Sequence, residues 1–372
     1  MCSLRSSMVS VDELRKFVMT IFLRAGMTNE DAILMTNSLV EADRWGLTTH
    51  GTARLRSYVA QLKSGQVNPA PNETVLVDQP SALLINADNA FGAPVGIRAL
   101  RQAMAKARGT GVCLTGVKNV AHFGAAGYYT RYAAERGFLA LAMSSTSPSV
   151  VPFGGMTPRI GNSPMSFAAP GEAHPELVMD MAQSMTSRGR IRIAMEEGQE
   201  IPENWAIDAS GNPTTNPREA LNGAVLPSGG HKGSAMSLMI EMLASGLTGA
   251  HLSQHIHHAG FTNATSINDE KPTNKDVTVG NFYLVINADV FGDADQVRHR
   301  ATSIAEYVRA SPAAPGVEKV LAPGDIELNK SRNAAAEGIE LLASTVDDFH
   351  ALSAEYDVRV PAFTSERKGQ PL

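Results

Sequence analysis

A histidine and an arginine stand four positions apart in the stretch LTTHGTAR, residues 47–54. Residues i and i+4 of a helix share a face, so a helix beginning near Gly51 would point His50 and Arg54 in the same direction. A positioned histidine accelerates proton transfer by about 10² to 10⁴, and a charge-assisted arginine bond holds a carboxylate. The pair therefore suits acid–base chemistry on a small 2-hydroxy or 2-keto acid. The alternative is a histidine bonded to a loop carbonyl beside an exposed helix arginine.

A second histidine, His122, begins the stretch HFGAAGYY. The small residues Ala125, Ala126 and Gly127 that follow would let another backbone or a flat ligand approach closely. A lone histidine beside aromatic residues is equally typical of a hydrogen-bonded core group. The spacing alone leaves the role of His122 open.

Three glycines and Lys232 precede a long apolar segment in PSGGHKGSAMSLM. Free backbone N–H groups and the helix dipole at such a helix start favour an anion, which indicates a phosphate site; the alternative is an ordinary glycine-rich helix start. The pattern of a Rossmann turn is missing, because the stretch GTGVCL has Leu114 where the third glycine is required and precedes a strand.

Four histidines cluster at positions 251, 255, 257 and 258. The stretch HLSQH has the i, i+4 spacing of a zinc site but lacks the glutamate of H-E-x-x-H, and it leads into a polar loop. A solvated surface is the preferred interpretation, and we predict no bound metal. A metal-dependent hydrolase built on this cluster is the alternative function from a different class.

Composition excludes several classes of protein. The 372 residues carry a formal charge of −5 and contain no block of lysine or arginine, which argues against nucleic acid and anionic membranes as partners. No stretch approaches the length of a membrane-spanning helix. The only cysteines, Cys2 and Cys113, are too few for a disulfide framework and indicate a reducing compartment, so we predict a cytoplasmic protein.

The pattern of helix and strand signals predicts an α/β fold. Ser10 and Thr28, each followed three residues later by an acidic residue, predict two helix starts, and a third helix is expected from Thr52 to Ser64. Beyond residue 75, strand signals alternate only partly with helix signals, which favours a mixed sheet. The strand candidates are residues 74–77, 82–85, 112–117, 138–143, 165–168, 177–181 and 282–286, and a helix is predicted over residues 94–108.

Two long polar loops, residues 201–233 and 255–280, interrupt this pattern, and the second is a candidate lid. Thr345 and Asp348 predict the start of a C-terminal helix that runs through Tyr356. We therefore divide the chain into a helical N-terminal part (1–75), an α/β part (76–292) and a C-terminal helical part (293–372).

Taken in order, seven segments resemble the malate/L-lactate dehydrogenase family, NAD(P)-dependent oxidoreductases that lack the Rossmann fold. Ureidoglycolate, sulfolactate and diketogulonate oxidoreductases and a cyclic-imine reductase are also members. The resemblance covers residues 9–348, and the segments that carry it are EADRWGLTTHGTAR, HFGAAGYY, SPSVVPFGGMTPRIGNSPMSFAAP, VMDMAQS, NWAIDASGNPTTNP, LPSGGHKGSAMSLMIEMLASGLTGA and LAPGD.

The resemblance implies a role for individual residues. His50 would be the proton donor or acceptor, with His122 as a second candidate base. Thr49, Arg54 and Tyr58 would bind the substrate, Arg54 through its carboxylate. NAD or NADP would contact Thr146, Asp180, Met181, Ala182, His231, Lys232, Pro323 and Gly324.

The resemblance also implies an architecture and a reaction. It predicts a homodimer with a largely antiparallel, non-Rossmann cofactor domain and a helical domain built from both chain ends. The reaction would be hydride transfer between nicotinamide and a 2-hydroxy or 2-keto acid; the reduction of a cyclic imine carboxylate or a diketo sugar acid is the alternative within the family. Arg188 and Arg190 would either bind the 2′-phosphate of NADP or cap a turn in solvent.

This chain departs from the family pattern near the expected substrate. Thr49 replaces the more usual serine, which adds a methyl group, and Asn162 and Ser163 replace the Thr-Asn of Gly-Thr-Asn-Pro. Ser228 and Ser234 replace a common leucine and tyrosine around the paired glycines. These departures remove no catalytic group. Because the polarity of the pocket selects the substrate, the sequence leaves the identity of the substrate undecided.

Overall fold

The computed structural model describes residues 5–256 and 278–368 of the chain. Its helices are α1 (Val11–Arg24), α2 (Asn29–Arg44), α3 (Leu55–Lys63), α4 (Gly92–Thr110), α5 (Ala126–Ala134), α6 (Arg188–Glu197), α7 (Pro217–Asn222), α8 (His231–Glu241), α9 (Ala294–Arg309), α10 (Asp325–Glu337) and α11 (Ala343–Tyr356). Its strands are β1 (Arg5–Val9), β2 (Thr74–Gln79), β3 (Ala82–Asn86), β4 (Val112–Val120), β5 (Phe138–Ser144), β6 (Met165–Pro170), β7 (Pro175–Met181), β8 (Ala206–Ile207), β9 (Ala224–Val225), β10 (Val279–Asn287), β11 (Ile339–Leu342) and β12 (Phe363–Lys368).

The first two helices begin where their capping residues predict. The Ser10 and Thr28 hydroxyls each accept a hydrogen bond, 3.2 Å long, from the backbone N–H three residues later. Each bond satisfies one of the N–H groups that a helix start leaves without a partner. Apolar residues at helical spacing then bury one face of α1.

The predicted N-cap of the C-terminal helix, Thr345, is wrong by three residues. Helix α11 begins at Ala343, its N-cap is Leu342 without a side-chain bond, and Thr345 lies inside the first turn. The reason is that strand β11 ends at Leu342 and leads directly into the helix, so the chain direction is set by sheet pairing and not by a hydroxyl cap.

A seven-stranded sheet forms the centre of the molecule, in the order β2-β3-β4-β10-β5-β6-β7. Only β3 and β4 pair in parallel, and the other neighbours are antiparallel. The mixed, largely antiparallel α/β fold is thus confirmed, and every strand predicted for residues 74–286 lies within an observed strand.

Helices cover both faces of this sheet, as alternate residues of β10 show. Tyr283 is fully buried in the main core with residues of α4 and α5, while its neighbour Phe282 packs with Ile240 and Ala244 of α8 and the π-helix (Met242–Gly246) that continues it. Successive strand residues point to opposite faces, so these are two separate apolar layers. Burying each large side chain stabilises the fold by about 1.5 to 3 kcal/mol.

A second, three-stranded sheet brings the two chain ends together. Strand β1 lies between β11 and β12 and pairs antiparallel with both. The sequence predicted an N-terminus made only of helices, which is wrong, because the partners of β1 lie some 330 residues away and no local pattern marks them. The division into parts 1–75, 76–292 and 293–372 stays a prediction.

The structure describes the first of the two long polar loops in full and only the ends of the second. Residues 201–233 contain short ordered elements, since β8 pairs with β9 and α7 lies between them. Most of the 255–280 loop lies outside the described residues. Its role as a lid therefore stays a prediction. Within the described ranges, every helix is too short or too polar to span a bilayer.

Candidate active site

His50 lies in a tight double turn and not at the start of a helix. Two single 3₁₀ turns, Thr48–His50 and Thr52–Arg54, flank Gly51, and α3 follows only at Leu55. The predicted third helix is therefore three residues shorter at its start. The cause lies beneath the turn: a Cβ on Gly51 would come within 1.7 Å of the Asp43 carboxylate, and Gly51 adopts an extended backbone there.

The turn nevertheless places His50 beside His122. Their rings stack at 5.9 Å between centroids, with an angle of 24° between the planes. The Tyr58 hydroxyl lies 2.7 Å from His122 Nδ1, and the Tyr58 ring packs on Phe91 at 4.8 Å. The two histidines, 72 positions apart in sequence, therefore line the same recess.

Both imidazoles are neutral near pH 7. Burial, with a smaller contribution from the Arg54 charge, lowers the pKa of His50 to about 4. Burial and the charges of Arg54 and His50 hold the pKa of His122 well below its usual value. Burial also raises the pKa of Tyr58 to about 12, so this phenol keeps its proton. Since both histidine rings remain partly accessible, they lie at the bottom of a cleft.

Arg54 is held against the same turn. Its Nε–H donates to the Thr49 carbonyl oxygen at 2.6 Å, which fixes the plane of the guanidinium. Burial lowers the pKa of Arg54, yet the group stays charged at any physiological pH. A cation in a protein-lined cleft attracts an anionic ligand more strongly than one in open solvent.

Thr49 uses its two side-chain branches differently. Its Oγ1 lies 3.1 Å from His50 Nδ1, the bond that orients the imidazole. Its methyl group points toward α6, where it would lie 3.5 Å from a Cβ added to Gly189. The methyl group that distinguishes this chain from the serine-containing pattern therefore faces the start of α6.

Asp180 lies near the end of β7, against the start of α5. The Gly127 N–H donates to its Oδ2 at 2.8 Å, and a Cβ on Gly127 would lie equally close to that oxygen. Burial raises the pKa of Asp180 to about 6, against the opposing effects of that bond and of Arg131. Solvent reaches the side chain although protein surrounds it, as at the wall of a deep cleft. Met181 beside it is also exposed.

A chain of hydrogen bonds connects four separate segments next to Asp180. Thr146 Oγ1 donates to Asn162 Oδ1 at 2.8 Å, and the Asn162 carbonyl accepts from the Gln183 N–H at 2.7 Å. The Gln183 carbonyl then accepts from the Ser228 N–H at 2.9 Å. Ala182 and Thr146 are therefore brought to the glycine-rich turn before α8.

The glycine-rich turn before α8 has a left-handed backbone at two positions. Gly229 and Gly230 both have φ of +62°, which other residues rarely adopt. His231 and Lys232 follow as exposed residues in the first turn of α8. The Gly230 and Lys232 N–H groups donate to the Pro227 and Gly229 carbonyls at 3.1 and 3.4 Å. The dipole of α8 and the exposed lysine at its start favour an anion.

Pro323 and Gly324 lie against β7 from the other side. The Pro323 carbonyl accepts a hydrogen bond from the Val178 N–H at 3.0 Å, and Gly324 has φ of +101°. Arg309 anchors this segment, because it donates two hydrogen bonds to Asp325 (2.6 and 3.0 Å) and one to Glu176 (2.7 Å). An arginine clamped by two carboxylates gives a rigid support.

Two further groups of predicted residues lie elsewhere. Arg188 donates to the Leu221 carbonyl at 2.5 Å, which ties α6 to α7, whereas Arg190 is exposed. His251 and His255 lie after α8, and His257 and His258 lie outside the described residues. Among the described residues, no three histidine, cysteine or acidic side chains are grouped closely enough to hold a metal ion.

The role of several residues in the site was not predicted from the sequence. Asp43 supports the His50 turn, Asn162 and Gln183 connect the segments around Thr146, and Arg309 supports Pro323. Asp43 and Asn162 stand in motifs that carry the family resemblance, which was the only available signal. For Arg309 the sequence contains no signal, because its two carboxylate partners are far apart along the chain.

The described residues define a class of protein with a stacked pair of histidines, a glycine-rich helix start and a mixed sheet that lacks the Rossmann topology. The family profile of malate/L-lactate dehydrogenase matches residues 9–350. An L-sulfolactate dehydrogenase of Methanothermobacter thermautotrophicus is 34% identical over 95% of this chain and 98% of its own. A malate dehydrogenase of Pyrococcus abyssi is 32% identical over 94% of both chains.

A solved structure agrees with these matches. The sulfolactate dehydrogenase of Methanocaldococcus jannaschii superposes with a TM-score of 0.86 at 29% identity, covering 95% of this chain and 98% of its own. The chain belongs to the malate/L-lactate dehydrogenase family. The predicted family and its class of activity, a dehydrogenase that uses NAD or NADP, are confirmed.

Proposed function

We propose that the protein oxidises a small 2-hydroxy acid to the 2-keto acid, and catalyses the reverse reduction, with NAD or NADP. The observation that carries this proposal is the stacking of His50 on His122 at 5.9 Å within reach of the Arg54 charge. Such a cleft offers a proton acceptor, a hydrogen-bond donor and a cation to one small molecule, which are the groups that a hydroxyl and a carboxylate need.

His50 is the acid–base residue in this proposal. Oxidation requires a neutral imidazole whose Nε2 accepts the substrate hydroxyl proton, so Nδ1 carries the hydrogen and donates it to Thr49 Oγ1 at 3.1 Å. A pKa of about 4 keeps His50 in this neutral form at physiological pH. In the reduction direction the imidazolium returns the proton to the carbonyl oxygen.

His122 supports the same oxygen in a different way. Because Tyr58 keeps its proton, its hydroxyl donates to His122 Nδ1, which places the ring hydrogen of His122 on Nε2. His122 is then a neutral hydrogen-bond donor, suited to stabilise charge that develops on the substrate oxygen. This difference in partners is why His50 ranks first as the base.

Arg54 binds the substrate carboxylate and thereby tunes His50. A bound carboxylate compensates the Arg54 charge and adds a negative charge beside the imidazole, so the pKa of His50 rises toward neutral values. A pKa nearer the working pH serves proton transfer in both directions. Tyr58 and Thr49 complete the pocket by holding the two histidine rings.

The structure contains groups that fit a dinucleotide. Gln183 Nε2 and Thr186 Oγ1 are buried without a hydrogen-bond partner among the described residues, a costly arrangement that a polar ligand would relieve. We propose that the glycine-rich turn holds the phosphates. The other contacts would come from Thr146, Asp180, Met181, Ala182, His231, Lys232, Pro323 and Gly324. When bound, the nicotinamide ring accepts or supplies the hydride.

The proposed function is tested with a panel of 2-hydroxy acids, 2-keto acids and cyclic imine carboxylates, each with NAD(H) and NADP(H). The expected result is a substrate-dependent change in nicotinamide absorbance with at least one acid, which His50→Asn reduces by about 10² to 10⁴. Turnover of a cyclic imine alone would reassign the substrate. Dinucleotide binding without turnover of any compound in the panel would refute an enzymatic role.

We also propose a cytoplasmic homodimer. Large apolar side chains remain exposed along α8 and the segment after it, and a second copy of the chain would cover them: Met236, Leu238, Met239, Met242 and Leu247. The buried thiol of Cys113 suits a reducing compartment. Light scattering after size exclusion tests the dimer, and Met239→Glu should release monomers. A wild-type monomer at micromolar concentration would contradict it.

A further inference from the structure

Asp43 is a buried carboxylate beneath the turn that carries His50 and Arg54. It lies at the end of α2, only 8% of its surface is exposed, and it forms no ion pair with a basic side chain of the described residues. Isolated buried carboxylates are rare in proteins, because removal from water penalises the charged form. Such a group calls for a specific reason.

Within the described residues, the hydrogen bonds of the Asp43 side chain go to the junction between the two 3₁₀ turns. Its Oδ2 accepts hydrogen bonds from the Thr52 N–H at 2.8 Å and from the Thr52 hydroxyl at 2.6 Å. Its Oδ1 occupies the space where a side chain of Gly51 would be. The carboxylate therefore determines where the peptide between Gly51 and Thr52 lies.

This peptide sets the relative placement of the two site residues. Each 3₁₀ turn is closed by few backbone bonds, such as His50 N–H to the Leu47 carbonyl (2.8 Å) and Arg54 N–H to the Gly51 carbonyl (3.0 Å). Short turns of this kind have little stability of their own. Without an anchor at the junction, the placement of the imidazole relative to the guanidinium would depend on the bonds that Thr49 forms with His50 and Arg54.

Burial disfavours the charged form of the Asp43 carboxylate. Burial raises the pKa of Asp43 to about 7, although both Thr52 bonds oppose this rise. Glu340 lines the same small recess of about 80 Å³ and adds no positive charge to offset the buried group. A buried carboxylate whose side-chain hydrogen bonds, within the described residues, go to the turn that carries His50 and Arg54 points to a role in function.

We propose that Asp43 is a positioning residue that holds His50 and Arg54 in register for one substrate molecule. The proposal rests on the proposed function of those two residues. It differs from a purely structural role, in which loss of Asp43 would lower stability, cofactor binding and activity together.

Three variants and one control test this role. Asp43→Ala removes the acceptor of Thr52, Asp43→Asn keeps an acceptor oxygen without the charge, and Thr52→Val removes one of the two bonds. Asp31→Asn is the matched control, because Asp31 is a buried aspartate of the same helix that instead pairs with Arg98. If Asp43→Ala does not fold, the other two variants decide the test.

The measurements are kcat/KM with the active acid, the Kd of NADH or NADPH, and the melting temperature at about pH 8. For Asp43→Ala we expect kcat/KM to fall tenfold or more with cofactor Kd changed less than about twofold. Asp43→Asn should recover part of the activity and melt no lower than the wild type. Asp31→Asn should melt lower and keep its kcat/KM.

A readout independent of turnover separates this proposal from the proposed function. Carbethoxylation of His50, followed by peptide mass spectrometry, should be several times faster in Asp43→Asn and Thr52→Val than in the wild type or Asp31→Asn. An unchanged His50 rate would overturn the positioning role even if no substrate is found. Parallel losses of melting temperature, cofactor binding and activity in Asp43→Asn would overturn it as well.

Discussion

Replacing Arg54 by methionine should shift the pH profile of the oxidation, because Arg54 is one of two causes that keep His50 neutral. Burial is the larger cause, and together they lower the pKa of His50 from 6.5 to about 4. Oxidation needs the neutral base, so wild-type kcat/KM should be constant above about pH 5 and fall about tenfold per pH unit well below pH 4. In Arg54→Met this acid limb should move to higher pH.

The size of the movement follows from the order of the two causes. The interval between 6.5 and about 4 corresponds to at most about 3.4 kcal/mol. Since the Arg54 charge contributes less than burial, and solvent screens part of it, its removal restores less than half of this interval. The limb should therefore lie at or below about pH 5. Loss of the carboxylate bond should also raise KM about 10- to 150-fold.

The assay follows cofactor reduction at low substrate concentration between about pH 4 and pH 9. Arg56→Met is the matched control, because Arg56 lies two residues further on in α3, is exposed and bonds Asp348 at 2.6 Å. The substrate carboxyl group titrates identically with every variant, so only a difference between variants reports on the enzyme. An unmoved limb in Arg54→Met, or an equal movement in Arg56→Met, would refute the proposed coupling of Arg54 to His50.

Three further predictions concern the supports of the site. Tyr58→Phe leaves His122 Nδ1 without its donor, so kcat should fall about tenfold while cofactor Kd stays constant, as stopped-flow and fluorescence titration would show. Arg309→Met releases the segment of Gly324, so cofactor Kd should rise more than KM for the acid; equal changes would contradict this. Gly51→Ala forces a methyl group into the carboxylate beneath it and should lower the melting temperature by several degrees.

Much of the fold was predictable from the sequence because it depends on local signals. The hydroxyls of Ser10 and Thr28 reach N–H groups three residues away, so these caps form wherever the helix does. The strand signals between residues 74 and 286 were reliable for the same reason. Strand β1 had no such signal, because its partners β11 and β12 come from the other end of the chain.

The candidate site was predictable only as a set of residues. Family resemblance suggested His50, His122 and Asp180, but their arrangement depends on the sheet that brings β7 and α5 together and on the packing of α2 and α3 against them. The helix expected at Thr52 failed because a non-local contact with Asp43 favours a different backbone. Local propensity gives way where a buried group competes for the same peptide.

The amino-acid sequence by itself determined the starts of α1 and α2, the strand cores and the family to which the chain belongs. Tertiary structure alone decided that His50 stacks on His122, that the Tyr58 hydroxyl bonds Nδ1 of His122, and that Asp43 lies beneath Gly51. Caps and strand patterns act over a few residues, whereas a catalytic arrangement needs side chains from distant segments to be packed into one desolvated cleft.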